Sequence, residues 1–230
     1  MTDPIEHGVI VLVSTPIGNL GDMTHRGLET LKGASAILVE DTRRTRKLLS
    51  HYGITNELIA YHDHNKERLT PKMLERVRRG DTLAVVSDAG TPGISDPGFY
   101  LVRAAIAEDL TVTVNPGASA VLSALLLTGF PTDAFLFDGF LPRKKGELER
   151  KIRSLDDETR TAIFFVSPHQ LVKVLNMIST VLPTRKIAVA REITKIHEET
   201  RRGTAAELVE HFGARTVRGE IVLVIKGKGK

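Results

Sequence analysis

Residues 83–98 read LAVVSDAGTPGISDPG: four apolar residues lead into Ser87 and Asp88, and the chain then becomes rich in glycine and proline. Such a segment disfavours both helix and strand, because glycine is costly to order and proline lacks a backbone donor. In open α/β sheets, ligands bind in loops at the carboxyl ends of the strands. The stretch therefore predicts a short buried strand that opens into a ligand loop, with a long structural turn as the alternative.

The first half of the chain repeats this pattern of a short apolar segment followed by a polar loop. Residues 9–13 are continuously apolar, as in a strand that is buried on both faces of a parallel sheet. The predicted strands are residues 9–13, 36–39, 58–61, 83–86 and 111–114. A helix is predicted after each of them, so the order predicts an α/β fold with a doubly wound, mostly parallel sheet.

The second half has a different order of elements. Its predicted strands are residues 134–137, 161–166, 186–190, 200–203 and 220–225, and some of them follow one another without an intervening helix. This order predicts a mixed α/β sheet, with residues 200–203 at its edge. Gly129 to Asp133 is the best linker candidate, so we expect an N-terminal domain over residues 1–130 and a C-terminal domain over residues 131–230.

Composition narrows the functional classes. The 230 residues carry a formal charge of +4, which permits a nucleic-acid partner without requiring one. There is no cysteine, which excludes disulfides, thiolate catalysis and cysteine metal sites. The N-terminal residues lack a secretory signal pattern, and the longest apolar stretches are far shorter than a membrane span. We expect a cytoplasmic protein with no membrane partner.

Two familiar ligand patterns fit poorly. Gly18 and Gly21 follow the first strand, and Glu40 ends the second, as in a dinucleotide site. The spacing is G-x-x-G rather than G-x-G-x-x-G, which argues against a nicotinamide-dependent oxidoreductase. His62 and His64 can face one site but lack a third ligand, so we expect no metal, and a solvated or RNA-facing loop is favoured there.

Position in the sheet is a stronger indication than any single motif. The carboxyl ends of parallel strands share one edge, so the loops that follow the strands should converge there. These loops are residues 16–22, 40–43, 62–65, 87–98 and 115–119. Two basic clusters directly follow predicted strand ends and could meet phosphates, although a solvated helix face is an equal alternative. They are Arg43, Arg44, Arg46 and Lys47, and Arg143, Lys144 and Lys145.

Taken together, these loops resemble the tetrapyrrole methylase superfamily. The segments that carry the resemblance are VSTPIGNLGDMTHR (13–26), EDTRRT (40–45), SDAGTPGISDPG (87–98), NPGASA (115–120), GFLPRKK (139–145), AREITKIHEE (190–199) and RGT (202–204). They are most similar to the ribosomal branch of the superfamily, the small-subunit rRNA cytidine 2′-O-methyltransferases. Members of this branch often carry a further helical segment after the last strand, which is not seen up to Lys230.

The resemblance implies two αβα domains with S-adenosylmethionine in a cleft between them, and a homodimer. It also implies cofactor contacts from both halves of the chain. Carried over by motif, they are Pro16, Ala89, Gly90, Thr91, Ile94, Ser119 and Ala120 from the first motifs, and Val166 and Gly203 from the second half. The implied partner is 16S rRNA within the small ribosomal subunit. The RNA contacts expected from the two basic clusters are Arg44, Arg46, Lys47, Arg143, Lys144 and Lys145.

The implied reaction is attack of a ribose 2′-hydroxyl on the methyl group of the cofactor. A base would help, because a ribose hydroxyl is a poor nucleophile at neutral pH. Asp41 and Asp88 are candidate carboxylates, Asp41 being preferred as the base, and Arg43 could hold a phosphate or orient the carboxylate. Asp96 is a third candidate, but Asp88 and Asp96 could instead only brace their loop.

Two other functions remain open from the sequence. A small-molecule methylase of the same fold, acting on a tetrapyrrole or a related compound, would not need the two basic clusters. A non-catalytic RNA-binding module would not need the converging loops of small residues.

Overall fold

The computed structural model describes residues 8–229 and contains two compact units, divided between Ser119 and Ala120. The strands of the first unit are β1 (Val9–Val13), β2 (Ala36–Val39), β3 (Leu58–Ala60), β4 (Thr82–Val86) and β5 (Thr111–Asn115). Its helices are α1 (His25–Gly33), α2 (Thr42–His51), α3 (Lys66–Arg78) and α4 (Gly98–Ala107).

The five strands of the first unit form one parallel sheet in the order β3-β2-β4-β1-β5. All four residues of β2 are buried, as the continuous apolar segments predict. One face of the sheet packs on α3 and α4 through residues such as Met73 and Leu101, and the other packs on α1 and α2 through Leu31 and Leu49. The predicted doubly wound sheet is confirmed.

The second unit contains a mixed sheet. Its elements are α5 (Ala120–Thr128), β6 (Phe135–Phe140), α6 (Lys145–Arg153), β7 (Thr161–Val166), α7 (Leu171–Val181), β8 (Lys186–Arg191), β9 (Glu199–Thr204), α8 (Ala205–Gly213) and β10 (Ile221–Ile225). The strand order is β6-β7-β10-β8-β9, with β6 parallel to β7 and the other pairs antiparallel. The prediction of a mixed sheet is confirmed, and β9 lies at an edge as expected.

Strand β6 runs three residues beyond its predicted end at Phe137. Its pairing with β7 shifts register between Phe137 and Phe140, and Gly139 in between has φ +59°. Such a β-bulge inserts an extra residue and re-aims the side chains that follow. Asp138 and Gly139 are typical turn residues, which is why the sequence suggested that the strand ends before them.

Helix α5 packs against β8, β9 and β10, so by packing it belongs to the second unit. The sequence placed this helix before the linker, in the first domain. The domain boundary at residue 130 remains a prediction. The division into compact units reflects packing and does not identify the linker between two domains.

Among residues 8–229, no helix combines the length and the apolar character that a bilayer crossing requires.

Candidate active site

The carboxyl edge of the parallel sheet is where the candidate loops come together. Thr15, just after β1, and Gly90 in the loop after β4 exchange two backbone hydrogen bonds, 2.9 and 3.0 Å long. Thr91 accepts a hydrogen bond from Ser14 Oγ at 3.2 Å and donates one to the carbonyl of Ala118 at 3.3 Å. The loops after β4 and β5 are therefore bonded to each other, and the loop after β4 is bonded to the two residues that lead into the loop after β1.

Gly90 shows why this joint needs glycine. Its φ is +78°, and an added Cβ would lie 3.3 Å from Ile17 Cγ2 and 3.7 Å from the carbonyl oxygen of Ala118. A side chain there would be both strained and crowded. The loop after β4 is thus held close to the loop after β1 through its backbone.

The next residues of this loop leave space open. Gly93 also has a positive φ, +88°, but nothing lies within 4 Å of the position that its Cβ would take. Ala89 is exposed, and Ile94 exposes 49% of its surface. Small and apolar atoms with exposed backbone suit the uncharged parts of a folded organic cofactor. These residues fit the predicted contact with S-adenosylmethionine.

Asp96 braces the loop from within. Its carboxylate accepts hydrogen bonds from the backbone N–H of Gly93, at 2.8 and 2.9 Å, and of Gly98, at 2.8 Å. This is the structural role that the sequence left open for Asp96. Ser95, whose φ is +64°, belongs to the same tight loop, which leads directly into α4.

Asp88 links the loop after β4 to the loop after β2. Its Oδ1 accepts from the backbone N–H of Asp41 at 3.1 Å, and its Oδ2 pairs with Arg44 Nη1 at 3.2 Å. The fourth predicted loop is joined to the others through this side chain. Both oxygens of Asp88 are therefore engaged in holding the edge together.

Asp41 is the N-cap of α2. Its carboxylate accepts from the backbone N–H of Arg43 at 2.8 Å and from the Arg43 guanidinium at 3.0 and 3.3 Å. The Arg43 hydrogen bonds lower the pKa of Asp41 to about 2. A carboxylate of such low pKa is a weak base. The guanidinium of Arg43 is itself 85% exposed and free to meet a second anion.

Glu40 is a residue whose role the sequence did not predict beyond the rejected dinucleotide pattern. It follows β2 and lines a small pocket with Tyr61, Ser87 and Asp96. Burial raises its pKa first, and the negative charges of Asp88, Asp96 and Asp63 add to the effect. The position of Glu40 at a strand end marks it as a site candidate in the sequence. Its raised pKa is not predictable there, because the neighbouring negative charges come from loops that are distant in sequence.

The predicted contacts near the unit boundary and in the second unit have local structural roles. Ser119 and Ala120 are half-buried at the start of α5, and Val166 is buried at the end of β7. Gly203 lies in β9, where an added Cβ would come within 2.6 Å of Glu207 Oε2. That carboxylate belongs to the capping box of α8, so the absence of a side chain at Gly203 gives it room.

The basic clusters differ in how much of their charge is already engaged. Arg46 and Lys47 are exposed on α2 beside Arg44, which pairs with Asp88. Arg143, Lys144 and Lys145 are all exposed around the start of α6, where Lys144 pairs weakly with Glu147 at 3.5 Å. Exposed cations of this kind can contact phosphates at low desolvation cost.

The fifth loop is ordered by its own side chains. Asn65 Oδ1 accepts from the N–H of His62, and Asn65 Nδ2 lies 3.2 Å from His62 Nε2. Within residues 8–229, no group of three His, Asp or Glu side chains is placed to hold a metal ion.

Comparison with known proteins identifies the family. Residues 9–209 match the family described as Tetrapyrrole (Corrin/Porphyrin) Methylases, and the chain belongs to it. Relatives named Ribosomal RNA small subunit methyltransferase I occur in Synechocystis sp., 47% identical over 96% of this chain and 79% of the relative, and in Thermotoga maritima, 42% identical over 96% and 99%. The Bacillus subtilis relative is 44% identical over 96% of this chain and 75% of its own length.

Solved structures show the same fold at low sequence identity. Uroporphyrin-III-C-methyltransferase from Thermus thermophilus has a TM-score of 0.65 at 19% identity and covers 96% of this chain and 94% of its own. The methyltransferase CobJ has a TM-score of 0.69 at 20% identity, covering 96% and 95%. The family assignment confirms the resemblance seen in the sequence: the chain is a methyltransferase, and its methyl donor is S-adenosylmethionine.

Proposed function

We propose that this protein transfers a methyl group from S-adenosylmethionine to the ribose 2′-oxygen of a cytidine in the 16S rRNA of the small ribosomal subunit. The observation that carries the proposal is the bonded set of loops at the carboxyl edge of the parallel sheet, with an open surface at Ala89, Gly93 and Ile94. The names of the relatives point to small-subunit rRNA as the substrate.

The first unit supplies most of the proposed cofactor contacts. Ala89, Gly90, Thr91 and Ile94 would surround the methionine part, and Pro16 would border it from the loop bonded to Gly90. When bound, S-adenosylmethionine supplies a methyl group that its positively charged sulfur makes open to attack by an oxygen nucleophile. Ser119, Ala120, Val166 and Gly203 are proposed as the remaining contacts.

The chief task of the protein is then to align the attacking oxygen with the methyl group. Alignment alone contributes several kcal/mol, about 7–11 in the best intramolecular cases. We assign Asp41, Arg43 and Asp88 to this task. Asp88 fixes the start of α2, and Asp41 orients the guanidinium of Arg43 toward solvent, where a phosphate beside the target ribose would bind.

The base is a separate question from alignment. The sequence favours Asp41 as the base. However, its carboxylate has a pKa of about 2, so it would accept a proton only weakly. Glu40 lies next to it, and burial raises the pKa of its carboxyl, which makes Glu40 a stronger base than Asp41. Either residue can be tested by substitution.

RNA would be held by charge. We propose Arg44, Arg46 and Lys47 on α2 and Arg143, Lys144 and Lys145 before and within α6 as phosphate contacts, since all six are exposed. Such contacts fix the position of the RNA without reading its bases.

Location and assembly follow from the same proposal. We propose a cytoplasmic location, because the proposed substrate is part of the small ribosomal subunit. A homodimer is proposed on the family resemblance, and light scattering after size-exclusion chromatography would measure it.

The decisive experiment is incubation with S-adenosylmethionine labelled in its methyl group and small subunits that lack the modification. Label at the 2′-oxygen of one cytidine, mapped by mass spectrometry of nuclease fragments, supports the proposal. A parallel incubation contains a corrin or a porphyrin in place of the subunits, as the family description suggests. Label on that compound and none on rRNA would establish the small-molecule alternative.

Two single substitutions separate the catalytic assignments. Asp41→Ala should abolish methyl transfer and leave cofactor binding, measured by calorimetry, unchanged. If Glu40 is the base, Glu40→Gln should lower the rate, and the loss should be larger above the pKa of Glu40, where its carboxylate is ionised, than below it. Full turnover by Asp41→Ala would remove Asp41 from the site, and Glu210→Gln, an exposed change on α8, is the matched control for Glu40.

A further inference from the structure

The bulge in β6 places an aromatic side chain at the surface. Phe140 exposes 67% of its surface although it belongs to a strand, and it follows Gly139 at the point where pairing with β7 shifts register. Strand β6 is an edge strand, so no other strand of this sheet lies beyond it. Exposure of a large aromatic ring in this place is a consequence of the bulge.

The exposed ring is firmly supported from behind. Its centroid lies 5.3 Å from that of Phe165 on β7, which in turn contacts Phe137 at 4.9 Å. The next residue, Leu141, is buried and donates its backbone N–H to the carbonyl of Phe165. Asp138 is held by an ion pair with Lys151. Phe140 is thus an exposed aromatic platform on the surface of the second unit, with one side of its ring packed near Phe165.

A concentration of positive charge follows immediately in the chain. Arg143, Lys144 and Lys145 are exposed, and the carbonyl of Arg143 is fixed by a hydrogen bond from Lys173 Nζ at 2.9 Å. An aromatic platform beside exposed cations is the combination that binds single-stranded nucleic acid, since a base stacks on the ring while the cations meet its phosphates.

We propose that Phe140 is a stacking site for an unpaired base of the RNA substrate, next to the phosphate contacts of residues 143–145. The inference rests on the proposed function, because it takes RNA as the ligand. It adds a base contact where the sequence predicted only contacts to phosphate.

The chain contains no tryptophan, which gives a direct test. Phe140→Trp introduces a single tryptophan at the platform, whose fluorescence can be excited apart from that of the three tyrosines. A short single-stranded oligoribonucleotide should quench this emission as a base stacks on the indole ring. Ile106→Trp, on α4 with 62% of Ile106 exposed, is the matched control and should not be quenched. No quenching of Phe140→Trp at saturating RNA would overturn the proposal.

Affinity provides the second readout. Phe140→Ala should weaken binding of the same oligoribonucleotide about 5- to 150-fold, and Phe140→Tyr should remain within about twofold of the original protein. Cofactor affinity should be equal in all three, which also shows that the variants fold. Equal RNA affinity of the alanine and tyrosine variants, or a change only in oligomeric state, would contradict a stacking role.

The two proposals can fail separately. If the unaltered protein methylates small subunits but Phe140→Ala binds RNA and turns over normally, the platform is wrong and the function stands. If it methylates no rRNA, the proposed function is wrong, and quenching of Phe140→Trp by RNA still decides whether a base stacks there.

Discussion

At the carboxyl edge of the first sheet, hydrogen-bond partners show which acidic residues brace the loops. Asp96 is engaged by two backbone N–H groups, and Asp88 by one N–H group and Arg44. The sequence located both residues in the correct loop but could not separate bracing from catalysis. That distinction depends on hydrogen-bond partners, and most of the partners of Asp88 come from a loop more than 40 residues away.

Gly90 carries the clearest prediction at this scale. Gly90→Val puts a β-branched side chain at φ +78°, which strains the backbone, and its Cβ 3.3 Å from Ile17 Cγ2, which crowds that side chain. The backbone pairing of Gly90 with Thr15 should be weakened as a result. We expect cofactor affinity to fall at least about tenfold, as calorimetry would measure.

Gly53→Val, just after α2 and outside the proposed site, is the matched control for this change. Its φ is also positive, but its Cβ would enter open space. Backbone strain should lower the stability of the control by about 1–3 kcal/mol, but its side chain should crowd no neighbouring atom. If both variants bind the cofactor as the original protein does, the loop does not form its site.

Elements were predicted more reliably than their ends. Nearly every strand of both sheets was located to within two residues at each end, because buried strands have continuous apolar sequences. The exception is β6, which passes through Asp138 and Gly139 by means of a bulge. A bulge depends on the partner strand, and turn-like residues alone do not distinguish it from a turn.

Three elements of the second unit are joined through one carboxylate. Glu199 on β9 is only 14% exposed; its oxygens meet Arg191 on β8 at 3.3 Å and Arg201 at 3.1 Å. His211, on α8, and Arg215 approach it to 2.7 and 2.6 Å. Burial alone would raise the pKa of Glu199, but hydrogen bonds from His211, Arg201 and Arg215 outweigh burial and lower it to about 2.

Glu199→Gln should therefore destabilise the protein by about 1–3 kcal/mol at pH 7, as urea denaturation would measure. The folded pKa lies below the unfolded value of 4.5, so the carboxylate stabilises the fold above that pH. This stabilisation is lost as the pH falls toward 2. The stability difference between original and variant should shrink over that interval; a difference independent of pH would show that the charge is not responsible.

At the scale of the whole chain, the sequence predicted two sheets of the right kinds but not their strand orders. Strand order depends on which crossovers pack, and the local pattern of a strand does not record its neighbours. The grouping of α5 with the second unit was missed for the same reason: its apolar residues predict burial but not the partner.

The exposed basic clusters of the two units lead to a prediction about how RNA affinity depends on salt concentration. If Arg43 contacts a phosphate together with Arg44, Arg46, Lys47, Arg143, Lys144 and Lys145, the protein makes seven phosphate contacts. The logarithm of the RNA association constant should then fall with the logarithm of salt concentration with a slope of about −5, at about −0.7 per contact with single strands. Cofactor affinity should change little. Filter binding between low and moderate salt would measure the slope, and a value near −1 would contradict the proposed contacts.

Arg143→Gln and Arg68→Gln separate the clusters from general charge. Both remove one exposed cation, but Arg68 lies on α3 outside the two clusters. Only the first should reduce the slope, by about 0.7.

The order of strands in the first sheet has a consequence for how the chain is made. Strand β1 is paired on both sides, with Val9 opposite Thr82 on β4 and Thr111 on β5. Both partners are synthesised long after β1, and parallel pairing over such sequence separations is slow to form. During translation, β1 must wait beside the ribosome with both edges unpaired until β4 and then β5 emerge. The segment that begins the candidate site therefore stays unpaired, and exposed to aggregation, until both partners have been synthesised.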